Sequence, residues 1–230
     1  ISKGLVGSEM CIRDSYSEML PSEYSRDSLL KPKKFTHYSM GLYVLFFGSK
    51  KKFSDVAHHT IWMSERYKEL LHDIFEKKIL TEDFSLYLHR PTATDDTFAP
   101  EGCDSFYVLC PVPNLQGNVQ WNSEGPKLKD RIVEALDKTI MPGLKENIEA
   151  EFWMTPEDFK NDYRSKYGAG FSVAPIFSQS AWFRYHNKDK KIPNLYFSAA
   201  GSHPGAGIPG VLCSAKVIEK LIIKDFKVSH

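Results

Sequence analysis

Residues 35–165 predict a mixed α+β fold, on three observations. Residues 40–48 (MGLYVLFFG) form a continuous apolar run, rich in aromatics, bounded by glycine and of strand length. Residues 64–78 and 126–140 carry apolar side chains at helical spacing. Strand-like and helix-like segments then follow one another without strict alternation, and no internal repeat is present.

The elements follow in order. In 64–78, Ser64 can cap, and Tyr67, Leu70, Leu71, Ile74 and Phe75 recur on one face. Residues 84–89 and 104–110 read as strands, separated by a loop over 91–102. Residues 111–125 hold two prolines, two glycines and two asparagines and are expected to be irregular. The second helix is expected at 126–140, with Pro126 in its first turn and Leu128, Ile132, Val133, Leu136 and Ile140 as the stripe. A short strand follows at 148–154. Thr155-Pro156-Glu157-Asp158 then starts a helix that runs to about Ser165, with a cap, a proline at the first position and acids in the first turn. Residues 195–200 read as a strand and 210–223 as the last helix.

The ends are less regular. Residues 1–15 show neither strand nor helix periodicity, and their run GLVGSEMCIRDS resembles a translated sequencing-adapter read-through. They are set aside as foreign or disordered, an ordinary flexible terminus being the alternative. Residues 16–39 read as a linker or exposed segment, with a short helix near 25–30.

Composition narrows the function classes. Of 230 residues, 42% are hydrophobic and 26% charged, as in a soluble globular protein. The net charge of +1 gives no electrostatic argument for nucleic acid. Aromatics reach 13%, which suits a filled core or an apolar pocket. Cys11, Cys103, Cys110 and Cys213 form no CxxC pair, which points to a reducing compartment. No apolar stretch approaches membrane-spanning length, while the basic runs at 50–52 and 188–191 suit a solvated face or contact with anionic lipid.

Chemistry concentrates in 194–214, NLYFSAAGSHPGAGIPGVLCS, where a short strand enters a glycine-rich turn that opens a helix. Gly205, Gly207 and Gly210 fit GxGxxG, but only 20 residues follow Gly210, too few for the next strand and acidic residue of a complete dinucleotide fingerprint. The stretch can instead hold the other end of a dinucleotide. The small residues Ser198, Ala199, Ala200 and Gly201 let a ligand cross the strand end. The helix start near Pro209, Gly210 and Val211 can face an electron-rich ring. The alternative is a turn that packs a terminal helix on a sheet. His203 is either a donor to a cofactor or a turn residue bonding its own backbone. Phe171, Phe177, Trp182 and Phe183 either line a ligand tunnel or pack a core. No HExxH or Cys/His array is present, so His58, His59 and His89 are read as ordinary histidines and no metal is expected. Ser105 and Ser172 lack a nucleophile elbow.

The segment resembles the C-terminal signature of bacterial-type phytoene desaturases, in the FAD-dependent amine-oxidase-like superfamily. It matches at Asn194, Tyr196, Phe197, Ala200, Gly201, His203, Pro204, Gly205, Ala206, Gly207, Ile208 and Ser214, and departs at Ala199 and Ser202, small for small. Blocks at 41–48, 57–62 (AHHTIW), 89–95 (HRPTATD), 99–107 (APEGCDSFY), 111–117 (PVPNLQG), 154–159 (MTPEDF) and 168–172 (GAGFS) also resemble that family, in its order.

The resemblance implies an incomplete α+β/α/β fold. Residues 40–165 would be part of a substrate-binding mixed sheet with flanking helices, and 166–230 the closing strand-turn-helix of a Rossmann-like FAD-binding domain. It implies FAD at Gly201, Ser202, His203, Gly207, Ile208, Pro209, Gly210 and Val211, and an apolar carotenoid, phytoene, at Phe171, Phe177 and Trp182. It implies hydride loss to flavin N5 with proton loss from the adjacent carbon, a quinone or oxygen as electron acceptor, and a cytoplasmic enzyme touching the membrane peripherally. No catalytic base is assigned. The chain alone is expected to be inactive, lacking the adenosine-binding half. A related desaturase, a carotenoid isomerase, a retinol saturase or a non-catalytic lipid-binding relative are the alternatives.

Overall fold

The computed structural model describes residues 5–7, 36–190, 192 and 194–226. Cys11 and residues 16–35 of the linker expected over 16–39 lie outside them; within its described end, Tyr38 and Ser39 are buried rather than exposed. In chain order the strands are β1 (Leu5–Gly7), β2 (Gly41–Ser49), β3 (His59–Trp62), β4 (Leu86–His89), β5 (Asp104–Val112), β6 (Ile148–Met154) and β7 (Leu195–Phe197). The α-helices are α1 (Tyr67–His72), α2 (Trp121–Lys138), α3 (Leu144–Asn147), α4 (Pro156–Tyr163) and α5 (Ile208–Phe226). The chain divides into two compact units, Met40–Asp158 and Ile1–Ser39 with Phe159–His230, so the division falls inside α4.

Met40–Asp158 is built on a five-stranded antiparallel sheet of order β3-β4-β5-β2-β6. The apolar run of 40–48 is β2, buried at almost every residue because β5 and β6 cover both its edges. Strand β5 alternates, with Phe106, Val108, Cys110 and Val112 inward and the residues between them half-buried. Helix α2 lays Leu128, Ile132, Val133 and Leu136 against that inward face, joining Tyr43, Leu45 and Phe47 in one core. Burial pushes the Cys110 thiol up to about 12, so it is a packing residue rather than a nucleophile. Cys103, Cys110 and Cys213 are free thiols.

Several expectations shift. Helix α2 begins at Trp121, so Pro126 sits in its second turn and Ile140 falls beyond its end, 40% exposed. The carbonyl of Gly125 is engaged sideways, accepting a hydrogen bond from the Tyr43 hydroxyl at 2.9 Å. Helix α1 begins at Tyr67, because Ser64 closes a tighter turn: its Oγ accepts from the Arg66 N–H at 3.1 Å and donates to Asp83 at 2.7 Å. A π-helical turn, Asp73–Lys77, follows α1 and ends at Lys78 with φ +56°. Its wider pitch carries Phe75 off the apolar stripe; Leu70 and Ile74 are buried, Tyr67 and Phe75 exposed. The start of α4 is as expected: Thr155 Oγ1 accepts from the Glu157 N–H at 3.2 Å, and Asp158 Oδ2 from the Thr155 N–H at 2.6 Å.

In Ile1–Ser39 with Phe159–His230, β7 is buried throughout, and β1 pairs with it in parallel, Val6 opposite Tyr196. The expectation of no regular structure over 1–15 is therefore corrected at Leu5–Gly7; three residues are too few for periodicity to show. Strand β7 ends at Phe197, short of Ala200, because the Ser202 hydroxyl takes the Ala199 N–H at 3.0 Å and turns the chain. Helix α5 starts at Ile208, two residues before the expected Gly210. No helix among the described residues is long and apolar enough to cross a membrane.

One ionic cluster ties α5 to β7. The Asp225 carboxylate accepts from Lys188 Nζ at 2.6 Å and from the Tyr196 hydroxyl at 2.5 Å. The Lys188 ammonium first, then the Tyr196 hydroxyl, hold the Asp225 carboxyl below its usual range, while burial and the Asp225 carboxylate push Tyr196 up to about 12. A depressed carboxyl contributes stability above its unfolded pKa, about 3.9, and loses it as pH falls through the lower folded value. A raised phenol contributes below its unfolded pKa, about 10, and loses it as pH rises through the folded one. Denaturant midpoints followed against pH should therefore fall at both extremes, and Asp225→Asn should flatten both arms. Unchanged arms in that variant would remove the cluster from the pH response.

Candidate functional site

The glycine turn is fixed from below by buried polar groups, of which Asn187 and Arg184 lie outside the 194–214 stretch. Asn187 Nδ2 lies 2.9 Å from the His203 carbonyl, 3.0 Å from the Phe197 carbonyl and 2.7 Å from Ser214 Oγ. Ser214 Oγ also bonds Ser202 Oγ at 2.8 Å. The buried Arg184 guanidinium donates to the carbonyls of Ala200 at 2.9 Å and Phe171 at 3.1 Å. Burial lowers its pKa, and the converging carbonyl dipoles offset the charge. No motif signals Asn187 or Arg184; chain folding brings their partners together from up to 27 residues away.

Above that base, Gly205 and Gly207 have φ +145° and +92°, and nothing lies within 4 Å of where a Gly207 Cβ would stand. Gly210 is there for close approach: a Cβ would come within 2.6 Å of the Gly205 carbonyl oxygen. The donors at the start of α5 differ from those expected. Pro209 has no N–H, and the Val211 N–H is spent on the Gly207 carbonyl at 2.9 Å. Ile208 and Gly210 supply the free N–H groups of the first turn, with Ile208 80% exposed. Gly201 and Ser202 are buried, so Ser202 shapes the turn from inside. His203 does not bond its own turn: its N–H donates to the Tyr185 carbonyl at 2.7 Å, and its Nδ1 lies 2.9 Å from the Ala181 carbonyl.

The four aromatics beside this turn are not core. Phe171, Phe177, Trp182 and Phe183 are 37%, 87%, 67% and 50% exposed. Phe177 meets Phe183 at 5.7 Å, and the Trp182 edge faces His203 at 6.0 Å. Aromatic surface is thus continuous with the glycine turn.

A second apolar feature lies on the sheet of Met40–Asp158, on the face away from α2. Phe152, Phe46, Tyr107, His89 and His59 stand directly opposite one another in register across β6, β2, β5, β4 and β3. Their rings form a ladder with centroid separations of 4.5, 5.9, 4.8 and 5.3 Å. Four strand spacings make it about 19 Å long. Burial first, then the Tyr87 hydroxyl, push Tyr107 up to about 12, so the face is uncharged there. Burial first, then His58 and His59, lower the His89 pKa, leaving it neutral at pH 7. Sequence reasoning missed this ladder, because alternation says which residues share a face of one strand but not which strands stand together.

No family model matches the chain. Curated relatives do. The lycopene-forming phytoene desaturase of Pantoea ananas is 45% identical over 224 residues, covering 96% of this chain and 45% of that protein. The neurosporene-forming phytoene desaturase of Rhodobacter capsulatus is 47% identical over 190 residues, 80% of this chain and 36% of that protein. Over the stretch it spans, the chain belongs to the bacterial phytoene desaturases. It spans about 45% of the length of the relatives from Pantoea ananas and Pseudescherichia vulneris. The ζ-carotene-forming phytoene desaturase of Myxococcus xanthus is more distant, at 34% over 227 residues, covering 95% of this chain and 44% of that protein. Among solved structures, cyclohexylamine oxidase from Brevibacterium oxydans aligns at 12% identity over 95% of this chain and 43% of that one, with a TM-score of 0.49.

Several of the blocks resembling phytoene desaturases are parts of the two surfaces. Residues 57–62 and 89–95 carry the histidine end of the ladder, 99–107 brings Tyr107, and 194–214 is the strand, turn and helix start around Asn187.

Proposed function

We propose that this chain is the C-terminal part of an FAD-dependent desaturase that introduces double bonds into phytoene or a closely related carotene. Identity of 43–47% to named phytoene desaturases over 80–98% of the chain is the observation that carries it. Bound flavin would supply the hydride acceptor. The residues fit its electron-rich end: open space over Gly207, and free N–H groups on Ile208 and Gly210 where the α5 dipole is positive. Gly201, Ser202 and Asn187 would hold that turn in place rather than touch the cofactor.

The substrate has no charge to grip, so affinity must come from apolar area and exclusion of water. Phe171, Phe177 and Trp182 beside the turn supply apolar area of that kind. We assign no catalytic base. Peripheral contact with the cytoplasmic face of a membrane would deliver so apolar a substrate, and a quinone or oxygen would take the electrons.

The decisive experiment expresses the full-length protein from its genomic reading frame in cells that accumulate phytoene. Coloured carotenes and a stoichiometric flavin spectrum are expected. The relatives' names give lycopene, neurosporene and ζ-carotene as products, so the pigments read out the number of steps. Flavin-bound protein with phytoene untouched would point to an isomerase or saturase. Flavin-free protein that retains carotenoid would point to a lipid-binding relative. Residues 16–230 alone should show no flavin absorbance.

A further inference from the structure

We propose that His58, His59 and His89 form a binding site for a divalent transition-metal ion of the zinc or cobalt kind, at the β3–β4 edge of the sheet. The ligand nitrogens of the three rings lie within 4.8 Å of one another. His59 and His89 are a directly opposed cross-strand pair, and His58 is held beside them by the bond from the Arg90 N–H to its carbonyl at 2.9 Å. His58 Nε2 and His89 Nε2 are 2.9 Å apart. A tetrahedral ion with metal–nitrogen bonds of about 2.0–2.1 Å sets its ligands about 3.3 Å apart, so the 2.9 Å pair opens by about 0.4 Å and separations of up to 4.8 Å close by up to about 1.5 Å.

Two features support a metal over a plain histidine cluster. Two of the three outer nitrogens are already engaged: His58 Nδ1 bonds Thr94 Oγ1, and His59 Nδ1 lies 2.7 Å from the Tyr87 hydroxyl. Such bonds orient metal-ligating imidazoles and leave the opposite nitrogen for the ion. Hydrogen bonding also leaves the cluster incomplete, since His89 Nδ1 is buried with no partner among the described residues. Three imidazoles without a carboxylate suit zinc, cobalt, nickel or copper and not calcium or magnesium. The exposed side of His59 leaves room for water as a fourth ligand. Bound there, the ion would tie the outermost strand to its neighbour. The inference does not depend on the desaturase reading.

Cobalt(II) titrated into tag-free protein tests it by visible d–d absorption. Saturation at one equivalent is expected, with zinc displacing the cobalt. His59→Gln, at an exposed position, should weaken binding by about 100-fold, and Tyr87→Phe by about 10-fold. A copper(II) paramagnetic resonance spectrum of the wild type should show coupling to three nitrogens, which tests the site even if a variant fails to fold. Absence of a saturable band in the wild type would overturn the proposal, as would His59→Gln binding cobalt as tightly as the wild type.

Discussion

Asp104→Ala should destabilise the Met40–Asp158 unit by about 3–5 kcal/mol, because it leaves a buried guanidinium without its counter-charge. Arg90 and Asp104 are 7% and 1% exposed, and Arg90 Nε donates to Asp104 Oδ2 at 3.1 Å. The same carboxylate accepts from the Phe53 N–H at 2.7 Å and from Thr92 Oγ1 at 2.6 Å. Arg90 is further committed to the Val56 carbonyl at 3.0 Å, so it cannot turn out to solvent without breaking the loop ahead of β3. Desolvation of the unpaired ion, rather than loss of its Coulomb attraction, sets the size of the effect. Urea unfolding measures it. A loss under about 1 kcal/mol would mean that Arg90 finds water or another acceptor. Combining Arg90→Met with Asp104→Leu should recover only part of the loss: no charge stays buried, but the Phe53 N–H, the Thr92 hydroxyl and the Val56 carbonyl lose their partners.

Gly210→Ala should cost about 1–3 kcal/mol and, on the proposed flavin reading, remove flavin from the full-length protein. The new methyl would stand 2.6 Å from the Gly205 carbonyl oxygen, a backbone atom that cannot swing aside. Arg184, beside Gly205, is itself pinned by carbonyls on several segments, so little near the turn can give way. The strain therefore falls on the start of α5 and displaces the Ile208 and Gly210 N–H groups. The flavin-to-protein absorbance ratio and the thermal midpoint are the readouts. A variant with full flavin content and an unchanged midpoint would show that the turn yields freely, and would detach the glycine from cofactor binding.

Much of this was legible in the residues. The apolar run at 40–48 is an interior strand, the residues of the 128–136 stripe are buried, and Thr155 with Asp158 caps α4. These signals are local: they depend on a period or a cap within a few residues, which the chain carries wherever it folds. Helix starts were less legible where two local rules competed. Pro126 reads as a first-turn residue, yet α2 begins at Trp121. Ser64 reads as a cap, yet it serves a turn ahead of α1.

The sequence by itself determined the fold class, the strand-turn-helix around Gly205–Gly210 and the family resemblance that relatives at 43–47% identity then bore out. The tertiary structure alone decided which side chains meet. The aromatic ladder, the histidine trio and the Asn187–Ser202–Ser214 network join residues from separate strands and loops. The physical reason is that periodicity fixes the face a side chain takes within one element. Register and topology, set by burial of the whole core, fix its neighbours. Helix donors follow the same rule in miniature: a glycine-rich motif announces a helix start, but which N–H groups stay free depends on where the first turn closes, here on Gly207.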